Sequence, residues 1–354
     1  VKVHIAGIGT ALPPFMVDQP TVRSIVEAVF PNLPPSLYRV LSTFSHEHIA
    51  TRHFVRPADW YGQSHGFGET NDVFIAEAVD LATRAAIAAL SDAGLHASDV
   101  DAIVVASTTG LATPSLDAAV AQRLGCKPTV TRMPIVGLGC AAGVSGLSRS
   151  ADLCKAGHGF VLFVAVEICS VTMQRTDLSK SNLVGTSLFG DGAGAVVIGP
   201  SGRHGAIDHS YSHLFPQTED IMGWDVIDTG LKVRFSRDIP AFVTMSVAPV
   251  IDLALQSWGI TRTDIDRVIP HPGGAKVLDA YANILQRPES DMQIAKEVLR
   301  NCGNMSSATV LFVLEQTLQQ CATLTGRSLM TALGPGFSAE FLLLSHAEHT
   351  DHQS

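Results

Sequence analysis

Three residues, Cys140, His271 and Asn304, have side chains suited to covalent acyl chemistry, and each lies in a turn rich in glycine or proline. Cys140 stands in Gly137-Leu138-Gly139-Cys140-Ala141-Ala142-Gly143, after an expected strand and at the first turn of an expected helix. Its neighbours are too small to cover it, and backbone N–H groups at such a turn favour a thiolate. The competing reading is a small buried hydrophobe, the fate of most free cysteines. His271, in Ile269-Pro270-His271-Pro272-Gly273-Gly274, has prolines on both sides that keep it out of helix and central strand. Its imidazole is therefore expected on a stiff loop at a strand end, although alone it could be one surface histidine among 14. Asn304, in Cys302-Gly303-Asn304-Met305-Ser306-Ser307, precedes an apolar helix and could simply be its N-cap. Ser306 could do that capping instead and leave the amide free. A thiolate that takes an acyl group, with His and Asn donating to a thioester oxyanion, is the chemistry the three suit together. No Asp or Glu stands at an equivalent place to orient a hydrolytic histidine.

An internal repeat could bring these residues together. Leu90 to Ala106 lines up with Leu255 to His271 at an offset of 165, sharing the leucine, Gly94 with Gly259, Asp99 with Asp264 and Asp101 with Asp266. A helix with apolar Ile75, Val79, Ala82, Ala86 and Leu90 is expected to stop at Gly94, followed by a buried strand over 103–106. The second copy predicts a helix ending at Gly259 and a strand over 267–269. Gly139-Cys140 and Gly303-Asn304 each open a helix at an offset of 164. Gly190-Asp191-Gly192 and Gly334-Pro335-Gly336 each run into a strand at an offset of 144, so the first half carries about 20 extra residues between Cys140 and Gly190. The chain is read as α/β, with two pseudo-repeated halves, 1–205 and 206–354, packed in layers with the site where they meet.

Composition narrows the functions. Of 354 residues, 24 are Lys or Arg and 33 Asp or Glu, a net charge of −9 with no basic run, which excludes a nucleic-acid backbone as partner. No apolar stretch approaches the ~20 residues that cross a bilayer, and Val1 opens a strand-like segment; a soluble cytoplasmic protein is expected, with no membrane partner. Cys126, Cys140, Cys154, Cys169, Cys302 and Cys321 form no CxxC pair and are expected as free thiols, without a zinc site. Gly190-x-Gly192 invites a dinucleotide reading, but it runs into a strand and no acidic residue follows a βαβ unit at the proper distance. His346, His349 and His352 recur every third residue and are expected in a flexible polar tail rather than a metal tract.

The motifs Gly139-Cys140-Ala141-Ala142-Gly143, Leu188-Phe189-Gly190-Asp191-Gly192-Ala193-Gly194, His271-Pro272-Gly273-Gly274 and Gly303-Asn304-Met305-Ser306-Ser307 keep one order and spacing over nearly the whole chain. Together they resemble the type III polyketide synthases, the chalcone and stilbene synthase family of the thiolase superfamily. The resemblance implies a thiolase-like αβαβα fold and a homodimer with no cofactor and no metal. The substrates it implies are acyl-CoA and malonyl-CoA: the enzyme loads an acyl group on Cys140, decarboxylates malonyl-CoA to an enolate, and repeats Claisen condensations before cyclising the polyketide. His271 and Asn304 would stabilise the enolate, and His271 would hold Cys140 as thiolate. Phe189 matches the family's gatekeeper between the coenzyme A tunnel and the condensation chamber.

Thr108, Cys169, Thr172, Val233 and Ser306 fall where the plant enzymes line that chamber. Cys169 takes a place usually held by threonine, and Val233 replaces a second large phenylalanine, so the wall is expected to lose bulk. Such a wall resembles bacterial alkylpyrone and alkylresorcinol synthases that take medium or long fatty acyl starters. A cysteine near Cys169 also occurs in naphthalene-forming relatives, so a short-starter or malonyl-primed synthase of tetrahydroxynaphthalene or phloroglucinol type is the alternative, with a ketoacyl-carrier-protein synthase-like enzyme behind it. Trp224 stands where plants have glycine and either blocks a branch of the chamber or lies outside it. Arg39, His46, Arg52 and Lys276 are candidates for the coenzyme A entrance, Arg52 matching best. The loop Ala332-Leu333-Gly334-Pro335-Gly336 keeps only the end of the family's Gly-Phe-Gly-Pro-Gly, which leaves the ring closure open.

Overall fold

The computed structural model describes residues 2–34, 37, 48–236, 239–320 and 324–346; Arg39, His46, Cys321, His349 and His352 lie outside them. The first half supplies strands β1 (Val3–Ala11), β2 (Phe15–Asp18), β3 (Thr51–Phe54), β4 (Val100–Ala106), β5 (Thr131–Ile135), β6 (Phe160–Ile168) and β7 (Asp191–Gly199). The second supplies β8 (Ala206–Leu214), β9 (Met222–Ile227), β10 (Gly230–Phe235), β11 (Arg267–Pro270), β12 (Gly326–Gly334) and β13 (Ser338–His346). Nine of them form one sheet in the order β11-β12-β13-β8-β1-β7-β6-β4-β5. Its two halves meet only where Val3 and His4 of β1 pair with Ile207 and Ala206 of β8.

The layers follow from which helices touch which strands. The Phe67–Ala93 helix covers β1, β6 and β7. The Ala142–Lys155 helix touches β4 and β6 on one side and β12 and β13 on the other, and the Thr309–Gln320 helix touches β1, β7 and β11. These two helices also touch each other, so they form the layer between the halves. Beyond β8, Trp258 at the end of the Ala248–Ser257 helix stacks on His209. The five-layer α/β arrangement is the one expected.

The repeat is visible element by element. The Phe67–Ala93 helix ends at Gly94 in the left-handed conformation, and Gly259 adopts the same φ after the helix of the second copy. Each copy then makes a short turn closed by a capping box, His96 with Asp99 and Thr261 with Asp264, before its strand. The first helix is longer than expected, and its buried stripe runs through Phe74, Ala78, Leu81, Ala85 and Ala89, leaving Ile75 and Val79 half-buried on its flanks. Small side chains win that face because the sheet comes so close. Pro270 ends β11, where its missing N–H costs nothing because β11 is the edge of the sheet.

The extra residues of the first half lie between β6 and β7, as a turn over Cys169–Thr172 and a helix over Lys180–Leu188. In the second half β12 passes almost directly into β13. His346 closes β13, buried and bonded to Ser328, so the expected polar tail does not begin there. Its neighbours across the sheet give it a place in the core. Cys126, Cys140, Cys154, Cys169 and Cys302 are free thiols.

Candidate active site

Cys140 sits in a helical turn, Gly139–Ala141, that leads into the Ala142–Lys155 helix. Gly139 has φ +48°, and a Cβ there would lie 2.7 Å from Pro335, so the turn is pressed against the loop between β12 and β13. Four residues further on, a Cβ at Gly143 would lie 2.4 Å from the carbonyl oxygen of Ser307. The close approach of these two turns places the Cys140 thiol on Ser306, with Sγ 3.7 Å from Oγ. Thr108 supports the same turn, its hydroxyl accepting from Gly139 N–H at 3.1 Å.

Asn304 follows the Gln293–Cys302 helix and is held on all sides. Its N–H donates to Leu188 O at 2.9 Å and its carbonyl accepts from Gly190 N–H at 3.0 Å, a parallel bridge that sets it beside Phe189. Its side-chain Oδ1 accepts from Ser306 N–H at 2.8 Å, and Nδ2 donates to Gly273 O at 3.2 Å. The amide is therefore not left free, as the sequence had allowed: its oxygen holds Ser306 N–H, one Nδ2 hydrogen holds Gly273 O, and the other Nδ2 hydrogen remains to serve a ligand. Ser306 pays for the arrangement with φ +48°, a conformation uncommon outside glycine and one that clusters at functional sites.

His271 lies just past β11, its N–H donating to Thr331 O at 2.7 Å. The ring is 3% exposed, and among the described residues neither nitrogen has a hydrogen-bond partner. Burial pulls the imidazole down to about 3. It also pushes the Cys140 thiol up to about 12, a rise that Glu167 adds to and that hydrogen bonds from Ser306 and Asn304 oppose. Among the described residues the hydrogen-bond partner of the sulfur is Ser306. Burial thus works against the charged form of each group, and the thiolate held by His271 that the resemblance implies has to form against that cost.

Cys140, His271 and Asn304 line one cavity of about 380 Å³. Its walls are largely apolar, from Ile49, Leu188, Met222, Phe235, Leu299 and Phe337 among others, and Lys276 is the cation on its rim. Phe189, Cys169, Thr172 and Val233 do not line it. They line a neighbouring slot of about 30 Å³ with Val22, Ile25, Phe54 and Tyr61. The expected loss of bulk at Val233 does not open a chamber. Trp224 pairs with Val233 across the β9–β10 hairpin, and its ring lies 6.0 Å from that of Phe189, with Phe235 at 5.7 Å on the same ring. The indole restores what the valine gave up.

Arg52 does not stand at an entrance. It is 0% exposed and donates to Thr186 O at 2.9 Å, to Phe189 O at 3.2 Å and to Gln19 Oε1. The reason is its place on β3, in register with Val17 of β2, which turns its guanidinium to the carbonyls that end the Lys180–Leu188 helix.

Two residues of the site carried no signal in the motifs. Glu167 is fully buried and accepts from Thr108 N–H at 2.9 Å, Thr109 Oγ1 at 2.9 Å and Ser307 Oγ at 2.6 Å, so one carboxylate ties the two turns together. Burial raises its pKa. A lone acid in the apolar run of β6 was the clue available. Tyr281, which accepts from Thr331 Oγ1 at 2.9 Å, lines the cavity from the Ala275–Ile284 helix and stands out in no motif.

A buried thiol, an imidazole with unpaired nitrogens and an amide on one apolar cavity define a site for acyl transfer. Residues 62–202 match the family model for chalcone and stilbene synthases, N-terminal domain, and residues 206–347 the model for the C-terminal domain. The chain belongs to the chalcone and stilbene synthases, the type III polyketide synthase family. A protein of Bacillus subtilis (strain 168) with a provisional chalcone synthase name is 40% identical over 357 residues, 96% of this chain and 98% of its own. An alpha-pyrone synthesis polyketide synthase-like protein of Mycobacterium tuberculosis (strain CDC 1551 / Oshkosh) is 29% identical over 355 residues, 96% of this chain and 90% of its own. The crystal structure of 1,3,6,8-tetrahydroxynaphthalene synthase from Streptomyces coelicolor A3(2) superposes with a TM-score of 0.92 at 30% identity, covering 98% of this chain and all of that one. Its fold is the thiolase fold.

Proposed function

We propose that this synthase loads a medium- or long-chain fatty acyl group from coenzyme A onto Cys140, extends it with malonyl-CoA and closes the product to an alkylpyrone or alkylresorcinol. The observation that carries the reading is the shared wall: Cys140, His271 and Asn304 face one largely apolar cavity, and among the described residues the imidazole nitrogens have no hydrogen-bond partner. In the loading step the thiol proton passes to a ring nitrogen of His271 as sulfur attacks the thioester carbonyl. The coenzyme A thiolate leaves and takes that proton. Malonyl-CoA then loses CO2, and the electron pair of the broken C–C bond becomes an enolate, whose oxygen accepts from Asn304 Nδ2–H and from the His271 N–H. The enolate carbon attacks the acyl group, forming the new C–C bond and releasing the Cys140 sulfur as a thiolate, which a proton from solvent returns to the thiol. No cofactor or metal enters these steps; coenzyme A thioesters suffice.

Apolar walls favour long starters, since each buried methylene contributes about 0.8 kcal/mol. The alpha-pyrone name of the mycobacterial relative agrees with lactone closure. The second reading, a short or malonyl starter, is favoured by the slot behind Phe189, which at about 30 Å³ holds little more than one water. The resemblance further implies a cytoplasmic homodimer, with Lys276 meeting coenzyme A phosphates at the rim. Intact-protein mass spectrometry tests the loading step. Palmitoyl-CoA should add an acyl mass to the wild type and none to Cys140→Ala; an adduct that persists in the variant would place the nucleophile elsewhere.

A further inference from the structure

We propose that Arg52 is a positioning residue for the condensation half of the reaction, holding the Phe189 backbone and, across its bridge to Asn304, the amide that meets the enolate. The proposal rests on the function read above. Arg52 is the largest of the fully buried side chains, and among the described residues no carboxylate lies within ion-pair distance of it. Its partners are the carbonyls at the end of the Lys180–Leu188 helix. It takes Thr186 O and Phe189 O, while Gln19, which its other nitrogen grips, donates to Ser187 O at 3.1 Å. Those are the groups a helix leaves unpaired at its C-terminus, where the dipole is also negative, so the terminal nitrogens of a buried cation find acceptors there. Its Nε has no hydrogen-bond partner among the described residues, and the buried Asp191 carboxyl acts on it through space.

The same side chain packs on both strands of the bridge. A Cβ on Gly190 or on Gly303 would come within 3.2 or 3.3 Å of Arg52 Cβ. Leu188 O and Gly190 N–H, which hold the Asn304 backbone, therefore sit on a segment that Arg52 fixes from behind. Cys140 is supported differently, by Thr108, Ser306 and the Pro335 loop. Loss of Arg52 should disturb enolate formation and spare loading.

Arg52→Lys, Arg52→Met and Gln19→Leu are to be compared with the wild type in two assays on the whole chain. One is the rate of acyl-Cys140 formation by intact-protein mass spectrometry, and the other is CO2 release from malonyl-CoA. The expected result for Arg52→Met is loading within about twofold of wild type and decarboxylation lower by about tenfold or more, in kcat rather than KM. Gln19→Leu should shift the ratio the same way by less. A buried lysine gives up its proton more readily than arginine. Asp191, the buried carboxyl that faces this position and is itself raised by burial to about 7, titrates in both proteins, so the expected result is a further fall in decarboxylation by Arg52→Lys relative to wild type at mildly alkaline pH. Equal loss of both half-reactions in step with loss of folded protein, or an unchanged ratio, would overturn the proposal. Should the Arg52 variants not fold, an unchanged ratio in Gln19→Leu overturns it alone. A wild type that forms no acyl-Cys140 and releases no CO2 would instead bring down the function reading, and this with it.

Discussion

Burial pushes the Cys140 thiol up to about 12 and pulls the His271 imidazole down to about 3, so it disfavours the charged form of both. Alkylation of Cys140 by iodoacetamide should then rise about tenfold per pH unit through the neutral and mildly alkaline range. A rate flat across that range would mean a resting thiolate–imidazolium pair. Ser306→Ala removes a hydrogen bond that lowers the thiol, so its alkylation should be slower than wild type at each pH; a faster rate would mean the Ser306 contact is incidental. Asn304→Ala should lower malonyl-CoA decarboxylation by roughly 100-fold or more with loading kept, read by CO2 release against intact mass. At this scale the sequence was most legible where turns announce themselves. Cys140, His271 and Asn304 are marked by glycines and prolines that nothing in a core would require. Ser306 as the sulfur's partner, and Arg52 as a buried cation, were not legible, since both depend on which distant carbonyls and turns arrive beside them.

Among elements, the contact between the Ala142–Lys155 helix and the turn before the Thr309–Gln320 helix sets the site. A Cβ at Gly143 meets a backbone oxygen that cannot move aside. Gly143→Ala should therefore cost about 1–3 kcal/mol in urea unfolding, and no change would show that the two turns have room to part. The β9–β10 hairpin bears on substrate choice instead. Trp224→Ala takes the indole off Phe189 and should raise kcat/KM for long starters relative to short ones; an unchanged ratio would place the slot outside the acyl path. The repeat made the helices that stop at Gly94 and Gly259, the strands after them and the helices opened at Cys140 and Asn304 readable in advance, but not the capping turns in between. The length of the first-half insertion was readable too, but not its packing. Val233 and Trp224 lie on paired strands, and only pairing shows that one residue's lost volume is its neighbour's gain.

For the whole molecule, duplication explains how one chain builds a three-residue site: each half brings a turn to the front of its central helix, and the middle layer sets them side by side. Among the described residues no helix is long and apolar enough to cross a membrane. Light scattering on the purified protein should give twice the chain's 37.5 kDa, and a mass of 37.5 kDa would contradict the homodimer. The most direct test of the function is the set of products made from malonyl-CoA with acyl-CoA starters from acetyl to stearoyl, by mass spectrometry, with Cys140→Ala alongside. Alkylated pyrones or resorcinols that increase with starter length and vanish in the variant are the predicted result. Products from malonyl-CoA alone, unchanged by any fatty acyl starter, would contradict the long-chain reading and give the site to a short-starter synthase.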